Sequence, residues 1–332
     1  MWDFKLGRII TLMRQTYPFL VFRFLIYTAI TAILIAITGG GAGIGWIGGV
    51  IVGEAGPGLF YGGIAGAGAS AYFLYFIREY LLYQVKAGHI ALLVRFMEGK
   101  PVPEGKGMVV YAKEQVQENF KESNVLFAVD QLIKGVLKVI SGLFNTAARA
   151  IPIPVVANII AVLNKILAMS LTYVDEIILA YHMKHNSTNV WTNSCNALVL
   201  YTQNYGKMLK NAFWVSLLSW GLTLLVFVMV LSPFAALTLS VPSLAGPWTF
   251  AIAGLLAWGV KSAVIDPIAM TALMQVYFET VEGQNPVQEW EQRLEKLSGK
   301  FRELKERGME ALSSANPFGA ESSHSFPKIG GL

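Results

Sequence analysis

Charge is laid down in blocks along this 332-residue chain, and that pattern constrains the fold more than any single motif. Between Leu25 and Ile77 the only Asp, Glu, Lys or Arg is Glu54, and between Asn211 and Val260 there is none. About 20 apolar residues suffice to cross a bilayer as a helix, and each block is longer than that. Composition agrees: 14% of residues are charged, against roughly 25% in soluble domains. The fold expected is therefore all-α and polytopic, with about four transmembrane helices at 19–38, 59–80, 212–232 and 243–276.

The turns between the spans of each pair lack Lys and Arg, whereas the N-terminus, with Lys5, Arg8 and Arg14, the middle region and the tail are rich in both. The positive-inside rule then puts both termini and the middle on the cytoplasmic side of the plasma (inner) membrane. It also accounts for the net charge of +5, leaving nucleic acid unneeded as a partner. The organisation expected is an N-terminal membrane hairpin (1–83), a cytoplasmic or interfacial helical region (84–210), a C-terminal membrane hairpin (211–280), an amphipathic helix (281–312) and a disordered tail (313–332). In the middle region, 125–144 sets Asp130, Lys134 and Lys138 on one face of an otherwise apolar helix, which lies either in the interface or under the spans. Residues 155–174 are almost apolar enough to span, but a fifth span would turn one neutral loop inward.

Residues 39–70 are crowded with glycine and include a formal GxGxxG, GIGWIG, at 43–48. A dinucleotide fingerprint needs a strand before it and an acid about 20 residues on; here a membrane helix precedes it. The glycines instead keep helical spacing: Gly41, Gly45, Gly49 and Gly53, then Gly58, Gly62 and Gly66, with Ser70 next. Small residues four apart let helix backbones approach closely in lipid. The expectation is a glycine-zipper with a broken or re-entrant half-helix before the second span, its faces packed on each other or on a neighbouring subunit of a homo-oligomer.

Ionisable residues within membrane segments are candidates for a solute pathway. Glu54 at the GEAGPG break is one, with Trp46, Phe60 and Tyr61 nearby to suit an organic cation; its alternative is a solvated position at the outer headgroups. Arg23, Lys261 and Asp266 are the others, either as a pathway or as internal pairs. No catalytic constellation, cofactor motif or metal cluster stands out: His182 and His185 form an HxxH with no acid at a standard offset, and Cys195 is alone. Neither an enzyme nor a cofactor is expected.

In the tail, Val287, Trp290, Leu294, Leu297, Phe301 and Leu304 recur at spacings of three and four between charged residues. This seam over 287–304 either lies on the protein's own cytoplasmic face or pairs with a partner as a short coiled coil.

Three stretches carry a family resemblance: LNKILAMSLTYVDEIILAYHMKH, NSCNALVLYTQNYGKMLKNAF leading into the third span, and KSAVIDPIAMTALMQVYFETVEGQNP running from the fourth span into the tail. In layout, 162–294 resembles the C-terminal part of choline transporter-like membrane proteins. That resemblance implies transport of a choline-like cation; it carries over no substrate residues, since none of the family's can be matched here. Two functions follow as expectations: an oligomeric transporter or channel-like protein for a small solute, or a non-transporting membrane scaffold.

Overall fold

The computed structural model describes residues 2–77, 81–119, 128–139, 173–185, 189–240 and 247–315. The expectations for 155–172 and for the tail beyond 315 lie outside the described residues. Every regular element among the described residues is helical. They are α1 (Leu6–Gln15), α2 (Tyr17–Ile51), α3 (Ala55–Ile77), α4 (Tyr83–Met97), α5 (Met108–Asn119) and α6 (128–139). Then follow α7 (Val174–His185), α8 (Val190–Gln203), α9 (Tyr205–Ser240), α10 (Pro247–Val260), a π-helical segment (Lys261–Ile265), α11 (Asp266–Val281), α12 (Gln288–Leu297) and α13 (Gly299–Ala315). Four stretches are long and apolar enough to cross a membrane: Tyr17–Ile51, Ala55–Ile77, Tyr205–Pro233 and Thr249–Val281.

The expected half-helix is absent. The first span and the glycine stretch form one continuous helix, α2, which at 1.5 Å per residue is about 50 Å long. Glycine costs a helix about 1 kcal/mol in water, but here close packing against α3 outweighs that preference. α2 ends in a Schellman turn: Gly53 takes φ +82°, Gly53 N–H donates to Val50 O at 3.3 Å and Glu54 N–H to Gly49 O at 2.6 Å. α3 begins at once, with Pro57 in its first turn where its missing N–H costs nothing.

The two glycine faces then meet. A β-carbon on Gly41 would lie 2.6 Å from the carbonyl oxygen of Gly62; one on Gly45 would overlap Gly58 O and come within 2.7 Å of Gly62 Cα. Gly49, Gly58 and Gly62 are equally tight, and Gly66 abuts the backbone of Ile37 and Thr38. Ser70 continues the face, bonding Thr38 Oγ1 at 2.8 Å and Leu34 O at 3.0 Å. Gly43 and Gly48 point away with nothing within 4 Å. Outside this seam the hairpin is exposed and apolar, at Ile44, Ile47, Val50, Ile51 and Ile64 for example.

Apart from α10 and the apolar length of α9, the remaining helices build a head with an ordinary side-chain core. Ile9 and Leu12 of α1, Ile90 and Leu93 of α4, Ile133 and Val136 of α6, Ile177 and Ile178 of α7, Leu198 of α8 and Met274 and Tyr277 of α11 share one cluster. Thus α6 buries its apolar side in this core. The tail also joins it, through Leu294, Phe301 and Leu304. Leu294, Phe301 and Leu304 of the seam over 287–304 are therefore internal, whereas Val287 and Leu297 are each 47% exposed, and the seam is not one helix. Ser298 leaves helical geometry at φ −133°, ψ 113° and its hydroxyl accepts from Phe301 N–H at 3.3 Å, capping α13. That break interrupts any continuous coiled coil through 298–299, and Leu294, Phe301 and Leu304 already face the core. Phe4 near one end of the chain and Phe301 near the other lie in the same core.

Candidate functional site

The site is organised by the π segment between α10 and α11. In a π turn the N–H of residue i bonds residue i−5, so one carbonyl loses its partner. Here Asp266 N–H donates to Lys261 O. Ser262 O then has neither its α-helical donor, Asp266, nor its π-helical one, because residue 267 is proline and has no N–H. Arg23 fills the vacancy from α2, donating from Nε at 3.0 Å and Nη2 at 2.8 Å. The arginine is only 1% exposed; it lies over the Tyr27 ring at 5.4 Å and its Nη1 is 3.5 Å from His89 Nδ1. Burial, aided by the arginine's charge, holds the His89 pKa well below the usual imidazole range. The ring is therefore neutral, with Nδ1 accepting from Arg23 and Nε2–H donating to Thr16 Oγ1 at 3.3 Å.

Beside this joint is a cavity of about 500 Å³. All four candidate spans reach it, through Tyr27, Leu74, Trp220 and Trp258, and head residues close the other side. Six of its seven charged residues come as linked pairs, and the seventh is Asp175. Lys261 Nζ lies 2.5 Å from Asp266 Oδ1, which also accepts from the Tyr173 hydroxyl at 2.8 Å. Lys86 lies 2.5 Å from Glu176 Oε1, and Lys134 2.5 Å from Asp130 Oδ2. The lysines are the accessible halves of the two head pairs: the Lys86 and Lys134 side chains are 30% and 38% exposed, Glu176 and Asp130 2% each. Asp130 Oδ1 and Glu176 Oε2 are buried and accept no hydrogen bond from the described residues. Burial raises both carboxyl pKa values. Glu176, with the charge of Asp175 adding to burial and Lys86 opposing it, is pushed up to about 8; Asp130 rises against the pull of Lys134.

Comparison with family models, curated proteins and solved structures finds no match. The geometry alone must carry the reading.

Of the residues singled out from sequence, Arg23, Lys261 and Asp266 come together around the π segment, but not in the arrangement expected for Arg23. It bonds a main-chain carbonyl, while Lys261 and Asp266 pair with each other. Glu54, Trp46 and Tyr61 form no site with them. They sit at or near the hairpin turn, on the order of 40 Å along α2 from Arg23, with Trp46 and Tyr61 exposed at 50% and 69% and Glu54 in the turn itself. Lys86, Tyr83, Tyr173, Asp175 and Glu176 were not singled out. The available signal was Asp175-Glu176 inside the apolar run TYVDEIILAY, two adjacent acids where none is needed for solubility. Asp130 and Lys134 were visible as a stripe, without an indication of what the stripe faces. His182 bonds Asn193 Nδ2 at 3.0 Å, and no group of three potential metal ligands occurs among the described residues.

Proposed function

We propose that this protein is a non-transporting membrane organiser: two apolar helix pairs fix a helical head against the cytoplasmic face of the plasma (inner) membrane, and the head serves other membrane components. The observation that supports this reading is the closure of α2 on α3. Their glycine faces are in backbone contact over several turns, which leaves no lumen between them and uses within one chain the surfaces that could otherwise join subunits. The Lys- and Arg-rich head against two neutral turns supports its orientation.

Reconstitution of the full-length protein in liposomes tests this. Uptake of choline and of a neutral tracer should not exceed that of empty liposomes, and native mass spectrometry should give a monomer. Saturable uptake that disappears in Asp266→Asn would sink the proposal in favour of a second reading, a transporter for a small organic cation. That reading is favoured by one feature, the cavity where all four spans meet aromatic and acidic side chains, and agrees with the layout resemblance to choline transporter-like proteins.

A further inference from the structure

We infer that the cavity beside the π segment binds the ammonium group of a small primary amine, held by the carboxylates of Asp130 and Glu176 against an aromatic wall. The inference goes beyond the organiser reading and stands whether or not the protein moves a solute.

Four observations lead to it. First, sign: the lining carries four carboxyls, Asp130, Asp175, Glu176 and Asp266, against three lysines, and each lysine is already paired. The surplus group is therefore an acid, and no ammonium is spare for an anion. Burial and the charge of Asp175 push Glu176 up to about 8, so at neutral pH a proton offsets that surplus, and an arriving ammonium releases it to solvent. Second, an unmet acceptor: Lys134 takes Asp130 Oδ2 and Lys86 takes Glu176 Oε1, while Asp130 Oδ1 and Glu176 Oε2 accept no hydrogen bond from the described residues. Both side chains are 2% exposed and line the cavity. A buried carboxylate oxygen without a partner is costly, and what it lacks is a donor. Third, chemistry already present: Lys134 Nζ lies 5.8 Å from the Tyr83 ring centroid and Lys261 Nζ 5.8 Å from that of Trp220. Each lysine end is an alkylammonium set between a carboxylate and an aromatic face, the surroundings that a free alkylammonium would meet. Fourth, access: the Lys86 and Lys134 side chains are 30% and 38% exposed, and their flexible stems let them swing aside to admit a ligand. At about 500 Å³ the space is within the usual range for a ligand site. A primary ammonium brings three N–H donors and a quaternary one none, so the unmet oxygens select against choline-like cations. An ethanolamine lipid would bring the same ammonium, but with a phosphate for which no unpaired lysine remains.

The test titrates n-butylammonium or tetramethylammonium chloride into the full-length protein in detergent, near the Glu176 value of about 8 and at constant ionic strength, and reads binding by calorimetry. n-Butylammonium should bind at least about tenfold more tightly, the discrimination of one charge-assisted hydrogen bond. Asp130→Asn with Glu176→Gln should abolish the difference, and Glu176→Gln alone should reduce it. Lys134→Met should tighten n-butylammonium binding, because it leaves Asp130 to the ligand; a variant that had merely lost its fold would bind less. Lys113→Gln, at an exposed position on α5, should change nothing. Equal affinity for the two cations, full discrimination in the double variant, or weaker binding by a Lys134→Met protein that still melts cooperatively would overturn the site. Native mass spectrometry separates the two sources of the ammonium: phosphatidylethanolamine should be retained no better than phosphatidylcholine. Preferential retention of phosphatidylethanolamine with no n-butylammonium binding would make the ligand a lipid headgroup and sink the assignment to a free amine. Binding is read without flux, so its failure leaves the organiser reading standing, and uptake in liposomes would sink that reading without deciding this one.

Discussion

The hairpin of α2 and α3 and the helical head are held together in opposite ways. In the hairpin, backbone meets backbone: the seam is built mainly of glycines, and the large apolar groups point outward. In the head, side chains meet side chains: Tyr277, Phe301 and Ile133 are buried completely or nearly so. The surroundings explain the inversion. In water, removing apolar area from solvent drives packing, so large side chains belong inside. In lipid that drive vanishes; close backbone approach and van der Waals contact replace it, and large side chains do better facing acyl chains. One chain thus follows both rules, changing from one to the other at the cavity.

Four substitutions break or sharpen this contrast. The largest effect belongs to the head: Phe301→Ala removes a fully buried ring and should cost about 3–5 kcal/mol of unfolding free energy, read by reversible chemical denaturation in micelles. It should leave the distance between spin labels at Ile44 and Ile64 unchanged; a change there would mean the two regions do not fold as separate units. In the hairpin the sign of the size rule reverses. Gly45→Ala should cost about 3 kcal/mol, the upper end for overpacking, because its new methyl meets main chain that cannot swing aside. Gly48→Ala, with nothing within 4 Å, should be neutral or slightly stabilising, and the same label pair should widen only for Gly45. At the junction, Arg23→Met leaves Ser262 O buried without a donor and should cost about 1–3 kcal/mol, measured by the same unfolding titration; an unchanged midpoint would mean that water or another group replaces the guanidinium.

The smallest effect is one of pH. A carboxyl whose folded pKa is raised binds more protons folded than unfolded, so it favours the fold at low pH and withdraws that contribution as pH rises towards the folded value. For Glu176 the window runs from the ordinary glutamate value, 4.5, to about 8. Below about 6.5 the depressed pKa of His182, held near 4 mainly by burial, works in the opposite direction. Between pH 6.5 and 8 the wild-type protein should therefore lose about 1 kcal/mol per unit at most, and Glu176→Gln should flatten that slope. Equal slopes would place the proton elsewhere.

How far sequence reaches differs between the regions in the same way. The charge-free blocks identify the four long apolar helices because length and hydropathy are local properties. The glycine spacing identifies a face, and that face is the one in contact. It does not say whether the helix is broken there, since glycine's preference in water is no guide to a helix packed in lipid. In the tail, the spacing of Leu294, Phe301 and Leu304 marks an apolar side but not what covers it; the core of the same chain does. The site was half visible. Lys261 and Asp266 stand out because they interrupt a span, whereas Lys86 and Glu176 sit in segments where charge is ordinary, and only folding brings them to one cavity. The role of Arg23 is hidden because its partner is a carbonyl, which every residue has; the nearest hint is Pro267, a missing donor one π turn from Ser262.

The π segment also carries a consequence for phase. A π turn takes up one extra residue, so the sequence positions beyond it sit about 100° behind where an unbroken α-helix would put them. α10 and α11 are therefore two sections of one rod whose faces are keyed to different neighbours, the membrane pair for one and the head for the other. Winding 261–265 as regular α-helix with no residue removed would turn the buried side of α11 about 100° away from its neighbours, whereas deleting one of those residues would keep the phase and remove only the wide turn. The surplus residue works as a coupling between two gears with different tooth counts, letting each half of the protein keep its own repeat while sharing a shaft.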